Sequence, residues 1–269
     1  MTSKAEDIVR RAAASFNAGR IDEARRLCER ELAHTPGEPM LSHLLAAVLL
    51  SRQEIAAARL HIAASLARRP DNAAAQLLAA RISRADGDYA AALDHVDRAL
   101  ALAPQREAFV EKARILDQSG HRAQARSAWQ AILKVVPDHG EAAARLGRLA
   151  FEDGDLAGAA AYLEQATSGD APASTWFDLG LVRQDQRDHS GAAAAYRKAL
   201  TLKPDHAEAA LNLGIALQES GEPDAAMQFY AAAYRLRPQM FGAIAMALTS
   251  AAHGRLWLDE TALRLALTR

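Results

Sequence analysis

Residues 173–206 read ASTWFDLGLVRQDQRDHSGAAAAYRKALTLKPDH, and this segment decides the fold. Alanine is the best helix former, whereas proline stops a helix because it lacks an N–H and clashes with the preceding turn. The segment therefore predicts two helices, with a turn near Arg187 and an end before Pro204. The small Ala192 is expected where the two helices cross closely.

The same spacing recurs along most of the chain. Prolines recur with a period of about 34 residues, a length typical of paired-helix repeats, apart from one gap that spans two repeats. They are Pro36, Pro70, Pro104, Pro137, Pro204 and Pro238. Each of these prolines is preceded, at a constant spacing, by an alanine: Ala24, Ala58, Ala92, Ala125, Ala192 and Ala226. Ala159 holds the same position in the repeat that lacks the proline. Each repeat is expected to hold two antiparallel helices of about 12–14 residues. The predicted repeats are 5–38, 39–72, 73–105, 106–139, 140–172, 173–206 and 207–240.

A turn residue precedes each of these alanines by five positions. Glycine is the cheapest residue for the left-handed conformation that ends a helix, and five repeats carry it there. These are Gly19, Gly87, Gly120, Gly154 and Gly221. Gln53 and Arg187 are the two exceptions.

This pattern resembles the tetratricopeptide repeat family, whose unit follows W-x2-L-G-x2-Y, then A-x3-F, then P. The best match carries Trp176, Leu179-Gly180, Ala192, Tyr196, Ala199 and Pro204. The next repeat carries Leu213-Gly214, Gly221, Ala226, Tyr230, Ala233 and Pro238. The resemblance implies a single all-α, right-handed α-solenoid over residues 1–269, with about seven helix-turn-helix units. One pair cannot bury its apolar face alone, so neighbouring pairs stack.

Two segments depart from the pattern. Turn formers occupy residues 168–172, which predicts an irregular joint and leaves open whether it is a hinge. Residues 241–269 begin like an eighth repeat, break at His253-Gly254 and continue with apolar residues that include Trp257. A C-terminal cap is the favoured interpretation, because the last repeat would otherwise expose its stacking face. A free partner-binding helix is the alternative.

Composition narrows the classes of function. Hydrophobic residues make up 50% of the chain and the formal net charge is -1, which argues against disorder and against a nucleic-acid partner. The single cysteine, Cys28, allows no intrachain disulfide, and its repeat position predicts a buried structural thiol. Neither a secretory signal nor a transmembrane segment is visible, so no membrane association and a cytoplasmic location are expected.

The sequence shows no recognisable catalytic or metal-binding motif. It lacks H-E-x-x-H, C-x-x-C and a glycine-rich phosphate loop, and most of its nine histidines fall near turns. No metal or cofactor is therefore expected. Repeats leave no room for a separate catalytic domain, so a cryptic enzyme is kept only as a third alternative.

The family resemblance implies that the first helix of each pair lines a concave groove. We use the name first-helix face for positions two, five, six, nine and twelve of each repeat. Three arginines share position nine in consecutive repeats, and further candidates lie nearby: Arg81, Arg114, Arg148, Arg84, Arg145, Phe151 and Phe177. Arginine binds carboxylates well. The alternative is a solvated face neutralised by Glu107, Glu111, Asp117 and Glu141.

Apolar residues occupy the same face in repeats two and three: Leu44, Ala47, Leu50, Leu77 and Leu78. An exposed apolar patch indicates a partner, whereas packing within the solenoid is the alternative. Asn212 is the one match to the carboxylate clamp that some family members use on chaperone tails, so chaperone-tail recognition is not expected.

The sequence therefore favours a non-catalytic scaffold that binds a protein or peptide partner with acidic and apolar side chains. An accessory regulatory or assembly-chaperone subunit of an enzyme or complex is the alternative. Homodimerisation stays open, because terminal repeats leave edges that could stack with another chain.

Overall fold

The computed structural model describes residues 2–250 and 260–268 as sixteen α-helices and one 3₁₀ turn, with no strand in those ranges. This confirms the predicted all-α helical repeat fold. The helices are α1 (Thr2–Asn17), α2 (Ile21–Leu32), α3 (Pro39–Ser51), α4 (Ile55–Arg68), α5 (Ala73–Ala85), α6 (Tyr89–Leu102), α7 (Arg106–Gln118), α8 (Arg122–Val135), α9 (Gly140–Glu152), α10 (Leu156–Thr167), α11 (Ala173–Asp185), α12 (His189–Leu202), α13 (Ala207–Glu219), α14 (Pro223–Leu236), α15 (Phe241–Ser250) and α16 (Glu260–Thr268). The 3₁₀ turn is Pro238–Met240.

The helices form two compact units, Met1–Ala128 and Trp129–Arg269, and the division falls within α8. In repeats two to seven, the first helix begins at the first residue of the predicted frame. The connection 168–172, predicted as an irregular joint, lies inside the second unit. There α10 ends at Thr167, as the turn-forming sequence predicts. The next helix, α11, packs against α10.

The alanines predicted at the helix crossings are all fully buried, at 0% exposure: Ala24, Ala58, Ala92, Ala125, Ala159, Ala192 and Ala226. Burial of a methyl group at every such position lets two backbones approach closely, and it leaves no space for a larger side chain. The crossing alanine therefore sets the spacing within each pair.

Glycines on the first helices make a second close approach. The rings of Tyr196 and Tyr230 lie against Gly180 and Gly214, and both rings are fully buried. A Cβ added at Gly180 would stand 2.4 Å from Cε1 of Tyr196. The sequence pattern needs glycine after leucine because the tyrosine ring occupies the space that a side chain at the glycine position would need.

Three second helices begin with an aspartate that accepts a hydrogen bond from a backbone N–H. Asp88, Asp155 and Asp188 accept from the N–H groups of Ala91, Gly158 and Gly191 at 3.1, 2.9 and 2.9 Å. Such caps satisfy N–H groups that a helix start leaves without a partner. The hydrogen bond from Gly191 lowers the pKa of Asp188.

The turns between the paired helices of the seven repeats, which lie within the described residues, all use the left-handed conformation. Five predicted glycines adopt φ between 74° and 83°, and Gln53 and Arg187, the two exceptions in the sequence, adopt φ of 62°. Backbone geometry therefore keeps the turn the same where the residue type changes. A side chain in this conformation costs about 1–2 kcal/mol.

The described part of the C-terminal region packs onto the preceding helices. Leu263 and Leu267 of α16 are buried in one apolar cluster with Ile244 of α15. The Arg264 guanidinium lies 3.8 Å from the centre of the Phe241 ring, and it donates to the Tyr234 hydroxyl at 3.1 Å. These contacts place α16 against α14 and α15, and the cap itself stays a prediction. Residues 251–259 of that segment, which include His253, Gly254 and Trp257, lie outside the described residues.

Cys28 is fully buried in α2, as predicted for a structural thiol. Burial raises the pKa of this thiol to about 12. Since the thiolate is the reactive form, a neutral and enclosed thiol is inert at neutral pH.

Substitution Gly180→Ala tests the approach between Tyr196 and the first helix. The added methyl group must displace a buried ring, so we expect the free energy of unfolding to fall by about 1–3 kcal/mol in urea denaturation. The matched control is Gly169→Ala, because a Cβ there meets no atom within 4 Å. An equal loss in both variants would contradict the packing role of Gly180.

Substitution Arg187→Gly tests the cost of the left-handed turn. Glycine removes the steric strain at φ of 62°, so stability to urea should rise by about 0.5–1 kcal/mol. The reciprocal variant Gly154→Arg places arginine at the equivalent turn and should lose a similar amount. A destabilised Arg187→Gly variant would show that the arginine side chain stabilises its turn.

Candidate functional site

Three predicted arginines, two on α5 and one on α7, surround one buried carboxylate on α7. The side chain of Glu111 is 0% exposed. It accepts a hydrogen bond from Arg84 Nε at 2.5 Å and one from Arg114 Nη1 at 3.4 Å. Arg81 Nε lies 3.8 Å from the same carboxylate, and Arg84 also donates to Gln118 at 3.2 Å. We call Arg81, Arg84, Glu111 and Arg114 the arginine cluster.

The arginine cluster is an internal ion network with an open outer side. A buried carboxylate is costly unless charged partners surround it, and here three guanidinium groups do so. Three arginines and one glutamate give the four residues a formal charge of +2. The Arg81 side chain is nevertheless 39% exposed. Glu111 therefore neutralises part of the charge of Arg81, Arg84 and Arg114 and holds these three side chains in place.

Arg148, the third arginine at position nine, belongs to a different arrangement in the second unit. Arg148 of α9 donates to the Asp178 carboxylate of α11 at 2.6 Å. Arg145, also on α9, is half-buried and has interactions of its own. The two stacked first helices are thus joined by an ion pair that crosses from one repeat to the next.

A cavity of about 550 Å³ opens beside this ion pair. It lies between α9, the connection 168–172 and the start of α11. Its lining comprises Gly140, Glu141, Ala144, Arg145, Arg148, Ala166, Asp170, Ala171, Pro172, Ser174, Thr175 and Asp178. We call it the joint cavity, because the irregular joint predicted from the sequence forms one of its walls.

The aromatic candidates and Asn212 contribute to packing. Phe151 is half-buried and packs against the cluster that contains Leu163 and Leu179. Phe177 stacks on His206 with ring centres 4.7 Å apart. The Tyr196 hydroxyl, whose pKa is raised by burial, donates a hydrogen bond to Gln184 Oε1 at 3.0 Å, and Asn212 lies beside it.

The predicted apolar patch requires a correction. Leu44 and Leu78 are 9% and 7% exposed and belong to the core of the first unit. Leu50 is half-buried against that same core, and Leu77 is half-buried against the adjacent cluster. Of the two alternatives left by the sequence, packing within the repeats applies to Leu44 and Leu78.

Two features of the site could not be recognised from residue type alone. Glu111 was interpreted as one of several neutralising acids, yet its carboxylate is the fully buried centre of the arginine cluster. The pairing of Arg148 with Asp178 was missed, although a signal existed. Arg81 and Arg148 are each followed, at the same spacing, by an acid on the next first helix.

The described residues indicate neither a metal site nor a membrane span. Within 2–250 and 260–268, no group of three or more histidine, cysteine, aspartate or glutamate side chains could hold a metal ion. No helix described there is long and apolar enough to cross a membrane.

The family model described as tetratricopeptide repeat matches residues 43–107, 110–174 and 177–241. No curated protein matches the sequence.

Three solved structures illustrate the similarity of fold. A tetratricopeptide repeat protein from Parabacteroides merdae is 16% identical, with a TM-score of 0.62 over 78% of this chain and 83% of that chain. PilF from Pseudomonas aeruginosa is 18% identical, with a TM-score of 0.64 over 74% of this chain and 91% of that chain. Human IFIT1, solved as a dimer with m7Gppp-AAAA, is 16% identical, with a TM-score of 0.61 over 86% of this chain and 59% of that chain. At these identities the similarity shows the fold alone.

Substitution of Glu111 tests whether this carboxylate holds the arginine cluster together. Glu111→Ala leaves three arginines without their shared partner, so we expect unfolding in urea to require about 1–3 kcal/mol less. Glu111→Gln keeps the shape and should lose less. The control Glu107→Gln removes an exposed carboxylate from the same helix and should leave the urea midpoint nearly unchanged. Similar midpoints for all three variants would contradict this structural role.

Proposed function

The chain belongs to the tetratricopeptide repeat family, and from this premise we propose that it is a non-catalytic scaffold that binds a partner protein or peptide along its first-helix face. Proteins of this family bind protein partners in general. The proposal concerns the site and the chemistry of the partner.

The arginine cluster is the observation that carries the proposal. Its three guanidinium groups are held by one buried carboxylate, and Arg81 and Arg114 keep a third or more of their side chains exposed. Side chains that are already ordered lose less conformational entropy when a ligand binds. Their excess positive charge is complementary to glutamate or aspartate. We therefore propose a partner segment that combines acidic with apolar side chains.

The titratable groups with large pKa shifts support a binding role over catalysis. Burial raises the pKa of Cys28, Tyr196 and Tyr230, and all three side chains lie in the helix core. Catalytic groups with shifted pKa values are instead expected in a cleft that a substrate can enter.

The alternative of an assembly chaperone receives less support. A subunit that holds an unfolded client needs exposed apolar surface, and the residues predicted to supply it include the buried Leu44 and Leu78. An RNA partner is also disfavoured by the formal net charge of -1, although human IFIT1 shares the fold. Both alternatives are outcomes of the experiment below.

A peptide selection with the full-length protein tests the proposal. A displayed random-peptide library is selected on the protein, and the affinity of the winning peptide is measured by calorimetry. The peptide should carry acidic and apolar residues. Arg81→Ala should weaken its binding about tenfold, since a charge-assisted contact is lost while Glu111 keeps Arg84 and Arg114.

Two controls make the result specific. Arg30→Ala removes an exposed arginine from α2, outside the first-helix face, and should bind the peptide as the wild type does. Replacing the acidic residues of the peptide by their amides should reproduce the loss seen with Arg81→Ala. Selected peptides without acids, or binding that Arg81→Ala leaves unchanged, would contradict the proposed site.

A further inference from the structure

A half-buried histidine of α3 holds position five on the first-helix face of the second repeat. Burial lowers the pKa of the His43 imidazole, so the ring is neutral at pH 7 and has one donor and one acceptor nitrogen. Its Nδ1 atom is enclosed and has no hydrogen-bond partner among residues 2–250 and 260–268. Because an enclosed N–H without a partner is rarer than an enclosed acceptor, the proton is assigned to Nε2, which is not enclosed. His43 therefore offers one N–H donor on this face.

Half-buried apolar side chains surround this donor on α1 and α3. They occupy positions five, nine and twelve of the first repeat and positions nine and twelve of the second, and all pack onto the core of the first unit: Val9, Ala13, Phe16, Ala47 and Leu50. We call these five residues the apolar band. His43 and Ala47 stand four residues apart on α3, so they lie on the same side of that helix. An apolar side chain of a partner can therefore pack on the band beside the His43 donor.

The arginine cluster lies next to the apolar band in the same unit. Ala47 and Arg81 hold position nine in consecutive repeats, and α3 contacts α5 within the first unit. The axes of packed helices lie about 8–10 Å apart, so a similar distance separates these two positions. The first unit thus offers an apolar surface, an N–H donor and a positive charge side by side.

This spacing matches a partner segment in the extended polyproline II conformation. Such a chain rises about 3.1 Å per residue with three residues per turn, so side chains three positions apart share one side and stand about 9 Å apart. Its backbone carbonyls make no internal hydrogen bonds and can accept from His43. Carbonyls inside an α-helix already accept from the N–H four residues further on, so a helical segment would leave the His43 donor without a partner.

From these observations we propose that the first unit binds an extended partner segment in which an apolar and an acidic residue stand three positions apart. The apolar side chain packs on Ala47 and the apolar band, and the carboxylate pairs with Arg81 of the arginine cluster. His43 Nε2 donates to a backbone carbonyl of the segment. The inference rests on the proposed scaffold function and adds to it the spacing of two partner side chains and a contact to the partner's backbone.

Capped synthetic peptides of defined spacing test the inference. Acetyl-Pro-Leu-Pro-Pro-Glu-Pro-amide and its reverse order, Glu-Pro-Pro-Leu, are titrated into the isotope-labelled full-length protein, and NMR amide shifts at Ala47 and Arg81 give the affinity. We expect the tighter of these two peptides to bind several-fold more tightly than a version with one proline fewer between leucine and glutamate. Replacing its glutamate by glutamine should weaken binding by a similar factor.

Variants of the protein locate the contacts. His43→Phe keeps a ring but removes the donor, and it should weaken binding of the best peptide several-fold, up to about tenfold. His43→Gln restores an N–H donor and should recover most of that loss. Ala47→Gln places a polar side chain on the apolar band and should also weaken binding. The matched control His34→Phe changes an exposed histidine outside the first-helix face and should bind as the wild type does. Circular dichroism confirms that each variant is folded.

Defined results would overturn the inference. Equal affinities for the two spacings would show that the apolar and acidic contacts are not coupled in this way. Tighter binding of an alanine-rich helical peptide with leucine and glutamate seven positions apart would show a helical partner, and unchanged binding by His43→Phe would remove the backbone contact. If none of the spaced peptides shifts these amides while Arg81→Ala still weakens the selected peptide, only this inference fails and the scaffold function stands.

Discussion

The rest of the structure depends on the close crossing of two helix backbones over a fully buried alanine. All seven crossing alanines are at 0% exposure, and in two repeats a glycine opposite a tyrosine ring brings the pair closer still. Because the crossing is fixed, each pair offers the same surfaces to its neighbours. Stacking then buries the apolar faces that one pair alone would leave in water.

Ion pairs join neighbouring repeats at several places. The pairs Arg81–Glu111 and Arg148–Asp178 each join position nine of one repeat to position six of the next, and Arg25–Glu54 joins α2 to the residue before α4. Charges on the first-helix face can therefore differ between repeats without a change in the fold. That freedom explains how one chain combines a positively charged cluster in its first unit with a neutral ion pair between first helices in its second.

The period of alanine and proline was enough to predict where the helices lie, because helix geometry fixes how many residues a pair needs. It also predicted the turn at Arg187, where the backbone is left-handed without a glycine. The environment of each face residue could not be predicted in the same way. Leu44 and Arg81 occupy equivalent first helices, yet Leu44 is buried and Arg81 is partly exposed, since burial depends on neighbours from adjacent repeats. The fully buried Glu111 shows the same limit.

The contacts that α16 makes with the preceding helices have a mechanical consequence. In a stacked array the last pair has one neighbour and is the easiest to peel away. Here Leu263 and Leu267 are buried beside that pair, and Arg264 binds both Tyr234 and Phe241. A force that pulls on the C-terminal end must first extract two leucines and break a cation–π contact. Leu263, Arg264 and Leu267 therefore hold α16 against α14 and α15.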